Sequence, residues 1–219
     1  TNISQNLPST IMQNFAKVTT TTTDTVTGIF DSNATLFTFN PKEITVDNED
    51  PGFRIIESNQ KNKLQSFFKK ESEDKYKNLN FWMPPSRWTA TIGVNYYGDY
   101  INSAVYKKSG SGSNKTEWTT QIQIPGFYEV FVYTSELPMM GWRHRGGEEK
   151  KIQYYTVKHD DGEEEISVET GRGRQGWRTL GSFYFSKGEA KITLSDKGSE
   201  SNQIIFADAV KWVYTNNNK

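Results

Sequence analysis

The sequence predicts an all-β fold, a jelly-roll-like antiparallel β-sandwich with a short helical insertion. Three observations carry that expectation. From Trp88 onward, nine short runs of strand-forming residues follow one another, several of them with apolar and polar residues alternating. The breaks between them carry Gly, Pro, Asp, Asn or Ser, as in "SGSGSN", "IPG", "HDDGE", "SKGE" and "SDKGSESN". No helical pattern stands between these runs, which excludes a doubly wound parallel sheet.

Residues 1–43 are mostly polar, with a Thr-rich stretch at 19–28, and are expected to form a linker, an extended segment or the end of a preceding domain. Strand patterns start at "TLFTF" (35–39) and "EITVD" (43–47), where Ile44 and Val46 alternate with polar neighbours. In "NKLQSFFKKESEDKYKN" (62–78), Leu64, Phe67 and Phe68 fall at i, i+3 and i+4, one apolar stripe on a charged surface. That helical patch sits inside a segment, 54–87, read as an insertion. The nine later strands are "WTATIG" (88–93), "NSAVYK" (102–107), "TEWTTQIQI" (116–124), "FYEVFVYT" (127–134), "KIQYYTVKH" (151–159), "EEISVE" (164–169), "WRTLGSFYF" (177–185), "EAKITLS" (189–195) and "QIIFADAVKWVY" (203–214). The sandwich is thus placed at 44–214, with a polar tail at 215–219.

Composition bounds the function. The 219 residues can bury a sizeable core. The 26 basic and 26 acidic residues cancel, so no global field draws the chain to nucleic acid or to an anionic membrane, and neither partner is expected. No run reaches transmembrane length, so no membrane insertion is expected. The chain has no cysteine, which excludes disulfides, thiol nucleophiles and thiolate metal sites. Its start, "TNISQNLPST", lacks a charged-then-apolar signal pattern, and the chain is expected to begin after processing or inside a longer protein. Aromatic residues are abundant, 14% of the chain, which favours strands and recognition of polar, planar ligands.

One motif points elsewhere. Gly171, Gly173 and Gly176 match the G-x-G-x-x-G dinucleotide fingerprint. That fingerprint works where a strand ends and a helix begins, because the helix N-terminus holds the pyrophosphate. Here "WRTLGSFYF" follows, a strand pattern, and the glycines are expected to form a loop.

Several phrases resemble the golvesin C-terminal-like domain: "ITVDNEDPGF" (44–53), "YYGDYINSAVYKKSGSG" (96–112), "TEWTTQI" (116–122), "GFYEVFVYT" (126–134), "YYTVKHDDGEEEISVE" (154–169), "WRTLGSFYF" (177–185) and "IIFADAVKWV" (204–213). The resemblance implies a carbohydrate-binding-like jelly roll of bacterial proteins labelled xanthan lyases, exported to the periplasm, the cell surface or the medium. It implies a polysaccharide partner, an acidic one included, whose carboxylates Arg143 and Arg145 could grip while Trp142 stacks on a sugar face, or else neighbouring protein domains. The lyase label belongs to whatever catalytic region accompanies the module.

The residues themselves mark no catalytic constellation. His144 and His159 are the two histidines, and no nucleophile elbow or metalloprotease spacing occurs. Tyr, Lys and Arg that could serve a β-eliminating lyase are plentiful, and carboxylates for glycoside hydrolysis are numerous but unmarked. Catalysis is therefore assigned to the parent protein, not to this chain. No cofactor is expected, apart from a structural calcium ion of the kind that carbohydrate-binding jelly rolls often carry.

Asp208 is the polar residue that stands out, because it shares strand parity with Ile204, Phe206, Val210 and Trp212. A carboxyl in an apolar row needs partners. Those partners are loop amides or an arginine, or else a calcium ion shared with Asp47, Glu49 and Asp50 of "VDNEDPG".

A sugar ring presents a flat C–H face, so aromatic platforms flanked by hydrogen-bonding groups suit it. Three loops offer them: Trp142, Arg143 and Arg145; Tyr97 and Tyr100 beside Asp99; and Arg172 and Arg174 ahead of Trp177. Trp118, Trp177 and Trp212 lie in strands and are expected in the core. Two function classes follow: a glycan-binding module, or a structural and docking domain whose loops contact protein.

Overall fold

The computed structural model of the chain describes residues 27–30, 35–38, 42–58, 75–135, 151–171 and 173–215. They form fourteen strands: Thr27–Phe30 (β1), Thr35–Thr38 (β2), Glu43–Val46 (β3), Phe53–Ile56 (β4), Thr89–Ile92 (β5), Ser103–Lys108 (β6), Lys115–Ile122 (β7), Gly126–Thr134 (β8), Lys151–His159 (β9), Gly162–Thr170 (β10), Gly176–Phe185 (β11), Gly188–Gly198 (β12), Ile204–Ala207 (β13) and Val210–Thr215 (β14). All strand pairings are antiparallel, and no helix occurs among the described residues. The expected β-sandwich is the fold observed.

A five-stranded sheet, in the order β10-β9-β12-β7-β4, and a four-stranded sheet, β11-β8-β14-β3, close on one core. Alternation along each strand decides which side chains enter it. In β8, Tyr128, Val130 and Val132 point inward while Phe127, Glu129, Phe131 and Tyr133 point outward. Facing them, Trp118, Ile192, Leu194 and Val157 come from β7, β12 and β9, and Trp212 of β14 is wholly buried. β1 and β2 form a separate hairpin.

A third sheet, β13-β6-β5, is buried on both faces along β13 and nearly all of β6. Val105, Ile205 and Ala207 face the main core. Ala104, Tyr106, Ile204 and Phe206 face a second cluster with Tyr96, which Leu79 and Phe81 cover. The run 203–214, expected as one strand, is in fact two, because the chain leaves the β13 sheet and enters the four-stranded sheet at Asp208–Ala209. Phe53–Ile56, which the sequence reading passed over, pairs with β7. The helical patch at 62–78 falls mostly on 59–74, outside the described residues. Its last part, 75–78, is not helical; the Lys77 amide bonds the Ala90 carbonyl instead. The three glycines of the nucleotide-like motif form the turn between β10 and β11, with φ of +117° at Gly171, +71° at Gly173 and +112° at Gly176, and a strand follows.

One buried ion pair joins two sheets. Lys107 of β6 shares the inward parity of Val105, and its ammonium meets the carboxylate of Asp196 in β12; both side chains are almost fully buried. Asp196 also accepts from the Gly112 amide at 2.7 Å and from Asn114 Nδ2 at 2.9 Å, so the loop after β6 is fastened to the same carboxylate. Burial alone would raise the Asp196 carboxyl, but the Lys107 and Asn114 hydrogen bonds, the Lys107 charge and the Gly112 amide hold it below the usual range. Removing one partner of such a pair strands the other charge. Asp196→Ala is expected to lower unfolding free energy by about 3–5 kcal/mol at pH 7, and the joint change Lys107→Met with Asp196→Leu by much less. Urea denaturation of both variants checks this, and equal losses would exclude a paired-charge origin.

Candidate functional site

The described loops that carry the sequence-predicted residues meet at one end of the sandwich. Asp208 is the meeting point. It lies where β13 gives way to β14, 1% exposed, and accepts from the Ser135 hydroxyl at 2.8 Å and from the Tyr97 amide at 3.2–3.3 Å. Its partners among the described residues are a loop amide, as the sequence reading allowed, and a serine hydroxyl, which it did not name. Its own carbonyl accepts from the Trp118 indole at 3.0 Å, and the neighbouring Ala209 carbonyl accepts from the Tyr133 amide. Burial pushes the Asp208 carboxyl well above the usual range, the Ser135 and Tyr97 hydrogen bonds oppose this, and the nearby Asp47 carboxylate adds to the rise.

Tyr97 lies in the middle of the loop between β5 and β6. Gly98 has φ of +151°, and a Cβ there would lie 2.1 Å from the Ile101 carbonyl oxygen, so the sharp bend needs glycine. The bend brings Tyr97 against Tyr133 of β8 (ring centroids 5.7 Å apart) and Trp177 of β11 (5.2 Å); Tyr133 and Trp177 lie edge to face at 5.4 Å. Trp177 was expected in the core with Trp118 and Trp212. It stands instead on the outer face of the four-stranded sheet, half-buried, because its register partner Tyr133 points outward. The Lys211 ammonium lies 4.5 Å from the Trp177 ring centroid and 3.3 Å from Glu43. Gln175 donates to the Asn95 carbonyl at 3.1 Å and to Tyr133 Oη at 3.3 Å, tying the glycine-rich turn to the Tyr97 loop. Arg174 pairs with Glu169 at 3.0 Å.

Tyr100 is the open aromatic ring of this end, 88% exposed, beside the exposed Asp99. Tyr96, its neighbour in sequence, is core. Trp142, Arg143, Arg145 and Arg172 lie outside the described residues. Ser135, the last described residue before that long loop, is bonded to Asp208, and Lys151, the first after it, accepts from Thr170 at 3.2 Å. Of the candidates named from the sequence, the structure gathers Tyr97, Tyr100 and Arg174 at this end; Tyr133, Gln175 and Lys211, which were not named, stand beside them. The signal for Tyr133 was available: "GFYEVFVYT" has aromatic residues at both strand parities, so one set must face outward.

Asp47 and Asp50 sit in the turn after β3, against the same end. Asp50 Oδ2 accepts from the Asp47 amide at 2.8 Å. Glu49 binds the Lys75 ammonium and accepts from the Ser103 hydroxyl at 2.7 Å. Asp47 and Asp208 are close enough for Asp47 to raise Asp208, but among the described residues no three His, Asp or Glu side chains converge on a common point as metal ligands. Burial, with the charges of Asp50, Glu49 and Asp99, pushes the Asp47 carboxyl up to about 7, although the Asn48 amide opposes it.

The fold is an antiparallel β-sandwich whose described loops gather at one end. The family model described as the Golvesin C-terminal domain matches residues 79–214, and the chain belongs to that family. Among solved structures, a Paenibacillus xanthan lyase shares the fold at a TM-score of 0.54 and 19% identity, over 83% of this chain and 14% of that one. A Podospora anserina β-(1,4)-mannanase with a CBM35 module (TM-score 0.37, 12% identity, 61% and 27% covered) and a Phanerochaete chrysosporium exo-β-1,3-galactanase (0.35, 16%, 60% and 27%) are more distant. The chain therefore spans between about one seventh and about one quarter of the length of these proteins. No curated protein matches it.

Two measurements follow from the buried carboxyls. The folded state holds the Asp47 proton more tightly than the unfolded chain does. Asp47 is therefore expected to contribute a fall in stability of about 2–4 kcal/mol as pH rises from about 4 to about 7. Denaturation across that range in wild type and Asp47→Asn checks it, since the variant should lose this share of the slope and keep what Asp50 and Asp208, raised in the same direction, contribute. At pH 7, Asp208→Ala should cost about 1–3 kcal/mol and Asp208→Asn clearly less, because the amide can keep neutral partners for Ser135 and Tyr97; equal losses would exclude a hydrogen-bonding role.

Proposed function

We propose that the chain is a non-catalytic glycan-binding module of a larger exported bacterial polysaccharide-processing protein, with its loop end around Asp208 as the contact surface. One observation carries this reading: Tyr100 presents its ring to solvent on a loop that Gly98, the Tyr97 amide and Asp208 hold in place. A ring carried on a backbone held in this way stacks on a sugar face without reordering the loop, and the neighbouring carboxylate and the polar groups of the glycine-rich turn supply hydrogen bonds. Arg174 belongs to the same proposed surface, with Tyr97 as the packed support beneath it; Trp142, Arg143, Arg145 and Arg172 are further ligand-binding candidates taken from the sequence alone. The family, and the polysaccharide-processing parents of the similar structures, agree with this reading.

Docking against another protein domain is the second reading, and a specific observation favours it: Ile92, Val94 and Ile101, on and beside the Tyr100 loop, are exposed together. The two readings separate in one experiment. In affinity electrophoresis of the whole chain against a panel of soluble polysaccharides, Tyr100→Ala is expected to reduce retention about tenfold with an unchanged melting temperature. Trp142→Ala serves as the matching test of the candidate loop named from the sequence. Absence of retention by any polymer would favour docking.

A further inference from the structure

We infer that the glycan surface does not end at the Tyr100 loop but runs on down the outer face of the four-stranded sheet as a strip of aromatic rings, so that the module holds the interior of an extended polysaccharide chain. The inference rests on the glycan-binding reading above; it specifies how far that site reaches and which part of a polymer it takes.

The two outer faces of the sandwich are dressed differently. On the five-stranded sheet, Glu117 lies between Arg54 and Lys191, Lys197 pairs with Glu165, and the Tyr154 ring lies under the Lys197 ammonium. Such a face stays hydrated, because charged groups are costly to strip of water. On the four-stranded sheet, outward positions of β8 and β11 carry rings instead: Phe127, Phe131 and Tyr133 of one strand, Trp177 and Tyr184 of the other. Register sets Tyr184 opposite Phe127 and Trp177 opposite Tyr133, and each pair packs edge to face at 5.4 Å. From Phe127 to Tyr133 the strand covers about 20 Å.

Strip and loop are one surface. Tyr97 packs on Tyr133 and Trp177 and shares a side-chain hydrogen bond with Thr45 of β3, so it lies across one end of the outer face, and Tyr100 follows on the same loop. At the other end of the strip Phe127 is 45% exposed. Between the rings stand the exposed hydroxyls of Thr179, opposite Phe131, and Ser182, opposite Glu129, and the Lys211 ammonium lies 5.6 Å from the Phe131 ring centroid. Rings with donors and acceptors at their edges suit a hydroxylated chain. The exposed aliphatic side chains Ile92, Val94 and Ile101 lie on and beside the Tyr100 loop instead. A chain end or a single sugar is held by a pocket that encloses it, whereas a row about 20 Å long gives successive sugars of one chain successive contacts.

The test is affinity electrophoresis of the full chain in galactomannan, mixed-linkage β-glucan, dextran and polygalacturonate, with melting temperatures measured in parallel. In whichever polymer retains the wild type, Tyr100→Ala, Tyr184→Ala and Ser182→Arg are each expected to reduce retention about tenfold. Ser182 is exposed, so Ser182→Arg adds bulk to the strip without removing core packing, and it decides the matter if Tyr184→Ala lowers the melting temperature. Oligosaccharides cut from the retaining polymer should compete in order of length, hexamers about tenfold better than dimers. Retention that Tyr100→Ala weakens but Tyr184→Ala and Ser182→Arg leave intact, or dimers that compete as well as hexamers, would overturn the inference while leaving loop-end glycan binding intact. Retention by none of the polymers would instead overturn the glycan-binding reading itself.

Discussion

The chain changes sheets at Asp208–Ala209, and much of the molecule is arranged around that step. A strand that leaves one sheet for another breaks its hydrogen-bond ladder, and the freed groups must be satisfied inside the core. Here the Asp208 carbonyl is met by the Trp118 indole and the Ala209 carbonyl by the Tyr133 amide, which ties the crossing to both sheets of the sandwich. The carboxyl of Asp208 then holds the Tyr97 amide and the Ser135 hydroxyl, so the same residue that completes the crossing also fixes two surface loops. Fold and candidate surface share one carboxyl, which explains why a group so costly to bury is present.

Much of the fold was legible because period-2 alternation records burial directly. β9 was bounded to the residue, and β7, β8, β11 and β12 to within a few residues, since each has one face in the core. The crossing was not legible for the same reason. Ile204–Ala207 is buried on both faces, so its apolar run continues into Val210 and Trp212 without a pattern change. The Lys107–Asp196 pair was invisible because its members lie 89 residues apart and each looks like an ordinary surface charge.

The candidate surface was legible in part, and the division is physical. Loop composition picked out Tyr97, Tyr100 and Arg174, because aromatic and basic residues among glycines have no core period to explain them. What sequence could not supply was exposure. Tyr96, Tyr97 and Tyr100 look alike in "NYYGDY", yet one is core, one is a packed support and one is open. Trp177 was placed inside because strand tryptophans usually are. Its parity partner across β8 decides otherwise, and parity between distant strands depends on register, which a single sequence does not state.

β3 and β14 run side by side in opposite directions, with Glu43 opposite Val213 and the Tyr214 amide bonded to the Lys42 carbonyl. The sandwich is thus entered and left at adjacent points, and both lie at the far end of those strands from Asp47 and Asp208. A body with its two attachments together at its base behaves as a pendant. The same geometry makes the module portable. Fusing a reporter or an unrelated enzyme at either end, or splicing the whole unit into a surface turn of a host protein, should leave the Tyr100 tip free to sample its surroundings.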